Sequence, residues 1–293
     1  LILLDFSQTA IAAISAGSNH FGSALTEDAA RHMILNMLQS YKKKFTGKYG
    51  ELMICCDGPN NWRRDVFPYY KAKRRENKAK AESPIDWEMV YRVMNQTISD
   101  LDEFFPYKVI QIVGAEGDDV IAVMAKYFAE NEMIQEGIDE VPQNTLIISS
   151  DHDYKQLQVY GNVTQWSYLT KEFVRTKDPI GDLHTKLLKG DAGDGVPNAF
   201  SDDDVFVTDK RQTPATEKRC TPILEQLQAG VKPERISRNV ARNNKLMNLL
   251  DQIPEDLVNK ILDRYHSAPT NNNMMTYFIK HRMKNLMDNI QNF

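Results

Sequence analysis

Four short apolar runs in the first 150 residues each end at an acid or within a few residues of one. Residues 1–4 stop at Asp5, Leu52–Cys56 at Asp57, residues 107–113 just before Glu116, and residues 145–149 just before Asp151. The runs have strand length, and stretches of helical periodicity separate them. Strands alternating with helices predict an α/β fold with a central, mostly parallel sheet flanked by helices. In an open parallel sheet, ligands bind beyond the carboxyl ends of the strands. The acids are therefore expected to converge on one spot.

The intervening elements read as follows. Thr26 ahead of Glu27 and Asp28 marks a helix start, and apolar positions recur at helical spacing as far as Phe45. A second helical pattern covers 84–105, with Pro84 where a first turn tolerates it. Residues 116–129 form an amphipathic pattern. The polar stretch 130–144 predicts a surface loop, and 163–166 and 173–175 predict a short strand each. From about Asp178 the pattern is helical without strands, at 223–227, 235–250, 254–265 and 273–290. The polar stretch 201–221 predicts a mobile insertion. These shifts divide the chain into an α/β core, 1–177, carrying a basic segment at 60–82, and a helical region, 178–293.

Taken singly, an aspartate after a strand is usually a turn or cap residue. Glu116-Gly117-Asp118-Asp119 alone is a charged first helical turn favoured by the dipole. Acids at four strand ends favour a shared metal site. Crowded carboxylates repel and raise one another's pKa unless cations lie among them. An all-oxygen donor set suits magnesium or manganese. None of the six histidines pairs with another or with a cysteine at zinc-ligand spacing. The chemistry that wants such a site is phosphodiester hydrolysis assisted by two cations.

A net charge of -4 hides a local asymmetry. Between Trp62 and Lys80 stand Arg63, Arg64, Lys71, Lys73, Arg74, Arg75, Lys78 and Lys80, against only Asp65 and Glu76. Phe67, Tyr69 and Tyr70 interleave with them. Cations contact phosphates and aromatics stack on unpaired bases, so this segment is expected to bind nucleic acid. A solvated basic helix with an apolar anchoring face is the plainer alternative.

Asp5, the basic helix 64–75, Glu116-Gly117-Asp118-Asp119, Ser150-Asp151-His152-Asp153 and Lys189-Gly190-Asp191-Ala192-Gly193-Asp194 occur in this order. The ordered set resembles the flap endonuclease family of structure-specific 5′–3′ exonucleases, with its PIN-like core, and within it the phage ribonuclease H branch. Trp62-Arg63-Arg64-Asp65, Tyr69-Tyr70-Lys71, Ile147-Ile148-Ser149-Ser150-Asp151, Gln165-Trp166-Ser167 and Lys186-Leu187-Leu188-Lys189-Gly190-Asp191 carry that branch's flavour. The resemblance implies that Asp5, Asp57, Glu116 and Asp118 surround a first metal, with Asp119 acting through water. It implies a second group in Asp151, Asp153, Asp191 and Asp194. Lys71 matches the lysine on the scissile phosphate and Arg74 or Arg75 its companion. With Asp118 and Asp151, these are the catalytic candidates. The basic helix resembles the arch through which a single-stranded 5′ end passes, making Arg63, Arg64, Tyr69, Tyr70, Lys71, Lys73, Arg74, Arg75 and Lys78 its nucleic-acid contacts. One departure stands out. Family members often follow the last aspartate with a glycine-rich helix-hairpin-helix that grips duplex with potassium. Here residues 195–200 run into Ser201-Asp202-Asp203-Asp204 without those glycines.

The function implied is a 5′–3′ exonuclease and flap endonuclease using two Mg2+ ions, with Mn2+ as substitute. It would remove RNA primers and adjacent DNA in phage lagging-strand replication. RNA-DNA hybrids, flapped or forked DNA and single-stranded 5′ ends are the expected substrates. A single-strand-binding protein and a sliding clamp are the implied partners of a monomer. The competing readings are a compact PIN-type ribonuclease, an aspartyl phosphatase, and a non-catalytic protein that binds branched nucleic acid. The long basic segment and helical tail argue against the first, and Phe6-Ser7 after Asp5 lacks the second aspartate a phosphatase needs. No apolar run approaches the roughly 20 residues of a bilayer span. No signal-peptide pattern occurs. Three cysteines without spacing pattern suggest buried, reduced thiols. These features predict a cytoplasmic protein, in the host cytoplasm if phage-encoded. The chain starts at Leu1, so a short preceding piece is expected.

Overall fold

The computed structural model of the chain describes residues 1–21, 25–74, 85–136, 139–208, 210–231 and 233–293. Its strands are β1 Ile2–Asp5, β2 Leu52–Cys56, β3 Lys108–Gln111, β4 Met133–Glu136, β5 Asp139–Pro142, β6 Thr145–Ile148, β7 Val163–Ser167 and β8 Glu172–Val174. Among the described residues the central sheet has six strands in the order β3-β2-β1-β6-β7-β8. All neighbours are parallel except β7 and β8. Ile2 lies level with Leu52 on one side and Leu146 on the other.

Both faces of this sheet are buried, which is why its strands are continuous apolar runs. Ile2, Leu4, Ile54, Cys56, Val109, Leu146 and Ile148 point into one core, under helices Phe6–Phe21, Glu27–Tyr49 and Trp87–Phe104 and the C-terminal tail. Leu1, Leu3, Met53, Cys55, Ile110 and Ile147 point into the other, under Gly117–Asn131, the 3-10 helix His152–Tyr160 and Glu255–Ser267. Each fully buried leucine or isoleucine contributes roughly 1.5–3 kcal/mol. The helix at Glu27 starts under Thr26 as expected, whereas the pattern expected from 84 is helical only from Trp87, under Asp86, and Pro84 lies outside the described residues. Thr26 accepts from the Ala29 amide at 3.2 Å, and Asp86 from that of Met89 at 3.0 Å. Cys55, Cys56 and Cys220 stand free and buried. Among the described residues no helix is long and apolar enough to cross a membrane.

Several expectations need correction. The stretch 130–144 is not all loop, since β4 and β5 pair there as an antiparallel ribbon. Its acidic composition concealed two short strands that leave Met133 and Ile134 exposed. The 201–221 insertion is tied down. Asn198 Nδ2 donates to the Thr213 carbonyl at 2.8 Å, Thr213 N to Ser201 Oγ at 2.9 Å, and Arg238 and Arg242 both pair with Asp203. The helix within it begins at Glu217, six residues before the expected 223. The continuous helix expected at 273–290 is broken into Met274–Lys280 and Lys284–Met287. Between them Arg282 takes a left-handed conformation, φ 55. The helix Phe6–Phe21 was not expected at all. Its signal is Asp5 followed by Gln8, whose amide donates to Asp5 Oδ1 at 3.3 Å, as at a helix start.

Candidate active site

The chain lays β2 and β3 to one side of β1 and then returns to place β6 and β7 on the other. Such a reversal opens a crevice at the carboxyl ends of the two strands that flank it. Asp5 ends β1 beside this opening, Asp57 follows β2, and Ser149 and Asp151 follow β6. Gly58 lets the β2 loop approach the β3 loop, since a Cβ there would lie 1.8 Å from the Ile112 carbonyl oxygen. That contact brings Asp57 Oδ1 to the Gly117 amide, 2.8 Å away, at the start of the helix carrying Asp118. The result is a cleft of about 330 Å³ lined by Asp5, Gln8, Asp57, Lys71, Arg74, Asp118, Asp151 and Asp194, among others. A larger cleft of about 830 Å³ lies in the C-terminal region against Phe200, Arg219 and Ile223. It lacks the convergent acids, so chemistry rather than size identifies the site.

The expected acids divide by charge environment. Asp5, Asp57, Asp118 and Asp151 have no ion pair among the described residues. Burial, reinforced by Asp57 and Asp151, pushes the Asp5 carboxyl up to about 7. Burial together with Asp5 and Asp151 raises Asp118 well above the usual carboxylate range. The other acids are compensated. Glu116 pairs with Lys71 and, at 3.1 Å, with Arg63. Burial works to raise its pKa, and the two cations more than reverse this. Asp153 pairs with Lys186, and so does Asp191 at 3.0 Å. Asp194 pairs with Arg74 and accepts from the Tyr70 hydroxyl at 2.8 Å.

Three expected roles are corrected here. Arg63 is 2% exposed and forks onto Asp119 at 2.7 and 3.0 Å, so it braces the fold and cannot meet a strand. Asp119 is 0% exposed and also accepts from Trp62 Nε1 at 3.1 Å, which places it behind the cleft and not among cation ligands. Tyr70 is buried, with its hydroxyl oxygen between Asp194 and Glu116, 2.9 Å from the latter, so its ring is not a stacking platform. Arg64 and Arg74 are exposed, Tyr69 and Lys73 partly so. Arg75 and Lys78, with the rest of 75–84, lie outside the described residues.

Lys71 holds the basic segment to the acids. Its backbone is left-handed, φ 54, and its amide donates to the Asp194 carbonyl at 2.8 Å. Gly195 permits this approach, because a Cβ there would sit 3.0 Å from the Tyr69 carbonyl oxygen. Burial pulls the Lys71 ammonium down, but Asp194, Glu116 and Asp118 outweigh it and hold its pKa above the ordinary value. The residue is therefore a fixed positive charge at the cleft wall. A strained backbone held by its surroundings is common at functional sites.

Several residues of the site escaped the sequence reading. Tyr154, fully buried, donates its hydroxyl to Asp118 and lies 3.3 Å from Asp5 Oδ2. Ser149 Oγ donates to Asp5 at 2.9 Å, and Gln8 Nε2 to Asp151 at 3.0 Å. Gln165 holds the Ser149 and Asp151 carbonyls. The signal for Gln8 is its position one helical turn past Asp5. Tyr154 gave none, since an aromatic after Asp153 reads as core. Among the described residues no three acidic, imidazole or thiol side chains form a ready cation cage. The acid oxygens instead accept from Tyr154, Ser149 and Gln8. Uncompensated oxygen donors of this kind fit a hard divalent cation.

Residues 3–181 match the family described as 5′-3′ exonuclease, N-terminal resolvase-like domain, and residues 178–293 match T4 RNase H, C terminal. Ribonuclease H of Enterobacteria phage T4 is 33% identical over 309 residues, covering 100% of this chain and 95% of that protein. The chain belongs to the 5′–3′ exonuclease family. This nuclease also shares its fold with the bacteriophage T5 D15 protein co-crystallised with metal ions, at a TM-score of 0.61 and 15% identity over 92% of this chain and 99% of that one. A T5 D15 flap endonuclease complex with DNA and metal ions gives a TM-score of 0.63 at 14% identity, over 91% of this chain and 98% of that one. The nuclease thus has the mostly parallel, helix-flanked sheet of the PIN-like 5′ nucleases.

Proposed function

We propose that this nuclease is metal-dependent and hydrolyses phosphodiester bonds from 5′ ends, removing RNA primers and adjacent DNA during phage lagging-strand replication. One observation carries the reading: four acids without a cation partner among the described residues face Lys71 and Arg74 across one cleft. Asp5, Asp57, Asp118 and Asp151 would hold Mg2+, with Mn2+ as substitute, and Asp153, Asp191 and Asp194 a second ion. A bound divalent cation supplies positive charge that makes water more acidic and offsets the charge of the reacting phosphate.

The chain's own residues do the remaining work. Lys71 donates to a phosphate oxygen at the bond that breaks, and Arg74, exposed at the rim, meets a neighbouring phosphate. Gln8, Ser149 and Tyr154 orient the acids. Arg64 and Lys73 extend the positive track along a single-stranded 5′ end. Flapped or forked DNA and RNA-DNA hybrids are the substrates proposed, and a single-strand-binding protein and a sliding clamp the partners of the monomer. Ribonuclease H in the name of the T4 relative, and DNA and metal ions in the T5 complex, support the nucleic-acid substrates and the metal.

The test uses a 5′-flapped duplex with an RNA or a DNA flap, in magnesium and in chelator. Short products released from the 5′ end only with magnesium, and lost in Asp118→Asn, are expected. The two flaps together rank the sugar preference, which phosphate contacts leave open. Cleavage that persists in chelator, or in a folded Asp118→Asn, would overturn the reading.

A further inference from the structure

We infer that the hairpin after Asp194 takes no potassium ion, because the Arg242 guanidinium stands among its carbonyls, and that Arg238 beside it supplies the charge that meets a duplex phosphate. The inference rests on the nucleic-acid reading above and adds a duplex contact to it.

Potassium is held by carbonyl oxygens that replace its water. The ion that the family resemblance implies for residues 195–201 does not fit here, because those oxygens are already taken. The helix Ser237–Met247 lies against the hairpin and its side chains donate to it. Arg242 Nη2 donates to the Pro197 carbonyl at 2.9 Å and lies 3.4 Å from that of Asn198. Asn243 Nδ2 gives Pro197 a second donor at 3.0 Å. Asn239 Nδ2 holds the Ala199 and Ser201 carbonyls at 3.0 and 3.1 Å. The Val196 carbonyl accepts from the Asp191 amide at 2.8 Å, and that of Asn198 from the Ser201 amide at 3.1 Å. A cation could enter only by displacing these donors. Arg242 is fixed in place: its side chain is 8% exposed, its Nη1 pairs with Asp203, and its Nε donates to Asn243 Oδ1 at 2.9 Å.

A potassium ion would bring one positive charge to the hairpin. Two guanidiniums share that task instead. Arg242 is spent inside, on carbonyls and on Asp203. Arg238, one helical turn earlier, pairs with Asp203 Oδ2 at 2.5 Å and is 76% exposed. Asp204 is answered by Lys210, 3.1 Å away, and Asp202 shares the neighbouring cleft with Arg219. The two arginines on Asp203 thus leave one charge over, at the surface. The hairpin is joined to the active-site cleft, since the Lys71 amide donates to the Asp194 carbonyl and Arg242 lies 5.6 Å from the centre of the Phe67 ring. A duplex running on from the cleft meets this hairpin next.

The test measures binding of a blunt, labelled DNA duplex to the full chain in chelator, by fluorescence anisotropy. It compares chloride salts of K+, Na+ and N-methylglucamine at equal ionic strength. Affinity should agree within about twofold across the three, because ionic strength enters and cation identity does not. Tightening confined to K+ would overturn the inference. Arg238→Ala should keep the Tm and lose about one phosphate contact from the slope of affinity against salt, with single-stranded DNA bound as before. Unchanged duplex affinity and slope in this variant would take Arg238 off the duplex. Arg242→Ala should lower both Tm and duplex affinity, and a variant with neither changed would overturn its role. Should Arg242→Ala fail to fold, the salt comparison and Arg238→Ala decide. No duplex binding by wild type in any of the three salts would remove the nucleic-acid reading itself, and this inference with it.

Discussion

The Tyr154 hydroxyl donates to Asp118 while standing 3.3 Å from Asp5 Oδ2, so one buried proton donor links the two acids with the most raised pKa values of the cleft. A donor to an ionised acceptor is worth more than one to a neutral acid. Tyr154→Phe should therefore cost about 1–3 kcal/mol in chelator at pH 8, a Tm fall of roughly 5 °C. At pH 5, below the value of about 7 to which Asp5 is raised and with Asp118 shifted in the same direction, the fall should be smaller. An equal fall at both pH values in thermal melts would reduce the tyrosine to a packing residue.

Asp5 makes a second pH-dependent prediction. Unfolded, it titrates near its ordinary 3.8, and folded near 7. Between those values the folded chain keeps a proton that the unfolded chain has released. Its contribution to stability therefore falls as pH rises across this window and is fully lost above it. In chelator, the unfolding stability of wild type relative to Asp5→Asn, read from denaturant titrations, should decline from pH 4.5 to pH 8 by on the order of a few kcal/mol. Glu116 and Asp191, held low by their cations, act in the opposite direction but are present in both proteins. A flat difference across the range would show that Asp5 ionises normally.

The acids were legible because strand ends are legible. A run such as Leu52–Cys56 announces both its length and its end, and a parallel sheet brings such ends together. What stayed hidden is where the cations point. Arg63 and Arg64 are adjacent in the chain, yet one is 2% exposed and the other lies on the surface. Only the packing of the turn Arg63–Val66 against Leu246, whose carbonyl accepts from Arg63 Nε at 2.7 Å, decides which is which. Lys186 reaches Asp153 across 33 residues, a pairing that no local pattern encodes. The helix Phe6–Phe21 was missed because its cap, Asp5, was read only as a strand end. The ribbon of β4 and β5 was missed because its strands are exposed and carry no apolar alternation.

Lys71 should separate turnover from binding. A phosphate contact that strengthens as charge develops affects kcat, and loss of one such donor typically lowers it about 10²–10³-fold. Lys71→Ala should show that loss on a flapped substrate, with Kd weakened by less than about tenfold. Its φ of 54 adds a backbone question, because alanine is strained there while glycine is not. Lys71→Gly should lose as much turnover as Lys71→Ala, showing that the ammonium and not the turn is responsible. A glycine variant with near wild-type turnover would take Lys71 off the reaction.

Arg63 and Arg64 provide the last contrast. Arg63→Ala would leave Asp119 buried without its guanidinium and Glu116 with one cation instead of two. Breaking one side of a buried pair costs about 3–5 kcal/mol, so thermal melts should show a large loss of stability. Arg64 is exposed, and Arg64→Ala should leave the Tm within about 1 °C while weakening binding of single-stranded DNA. Its salt dependence should shrink by the contribution of roughly one phosphate contact. The two variants thus have opposite signatures, one in melts and one in salt titrations. A stable Arg63→Ala with a reduced salt slope would return that arginine to the nucleic-acid track and contradict its buried fork onto Asp119.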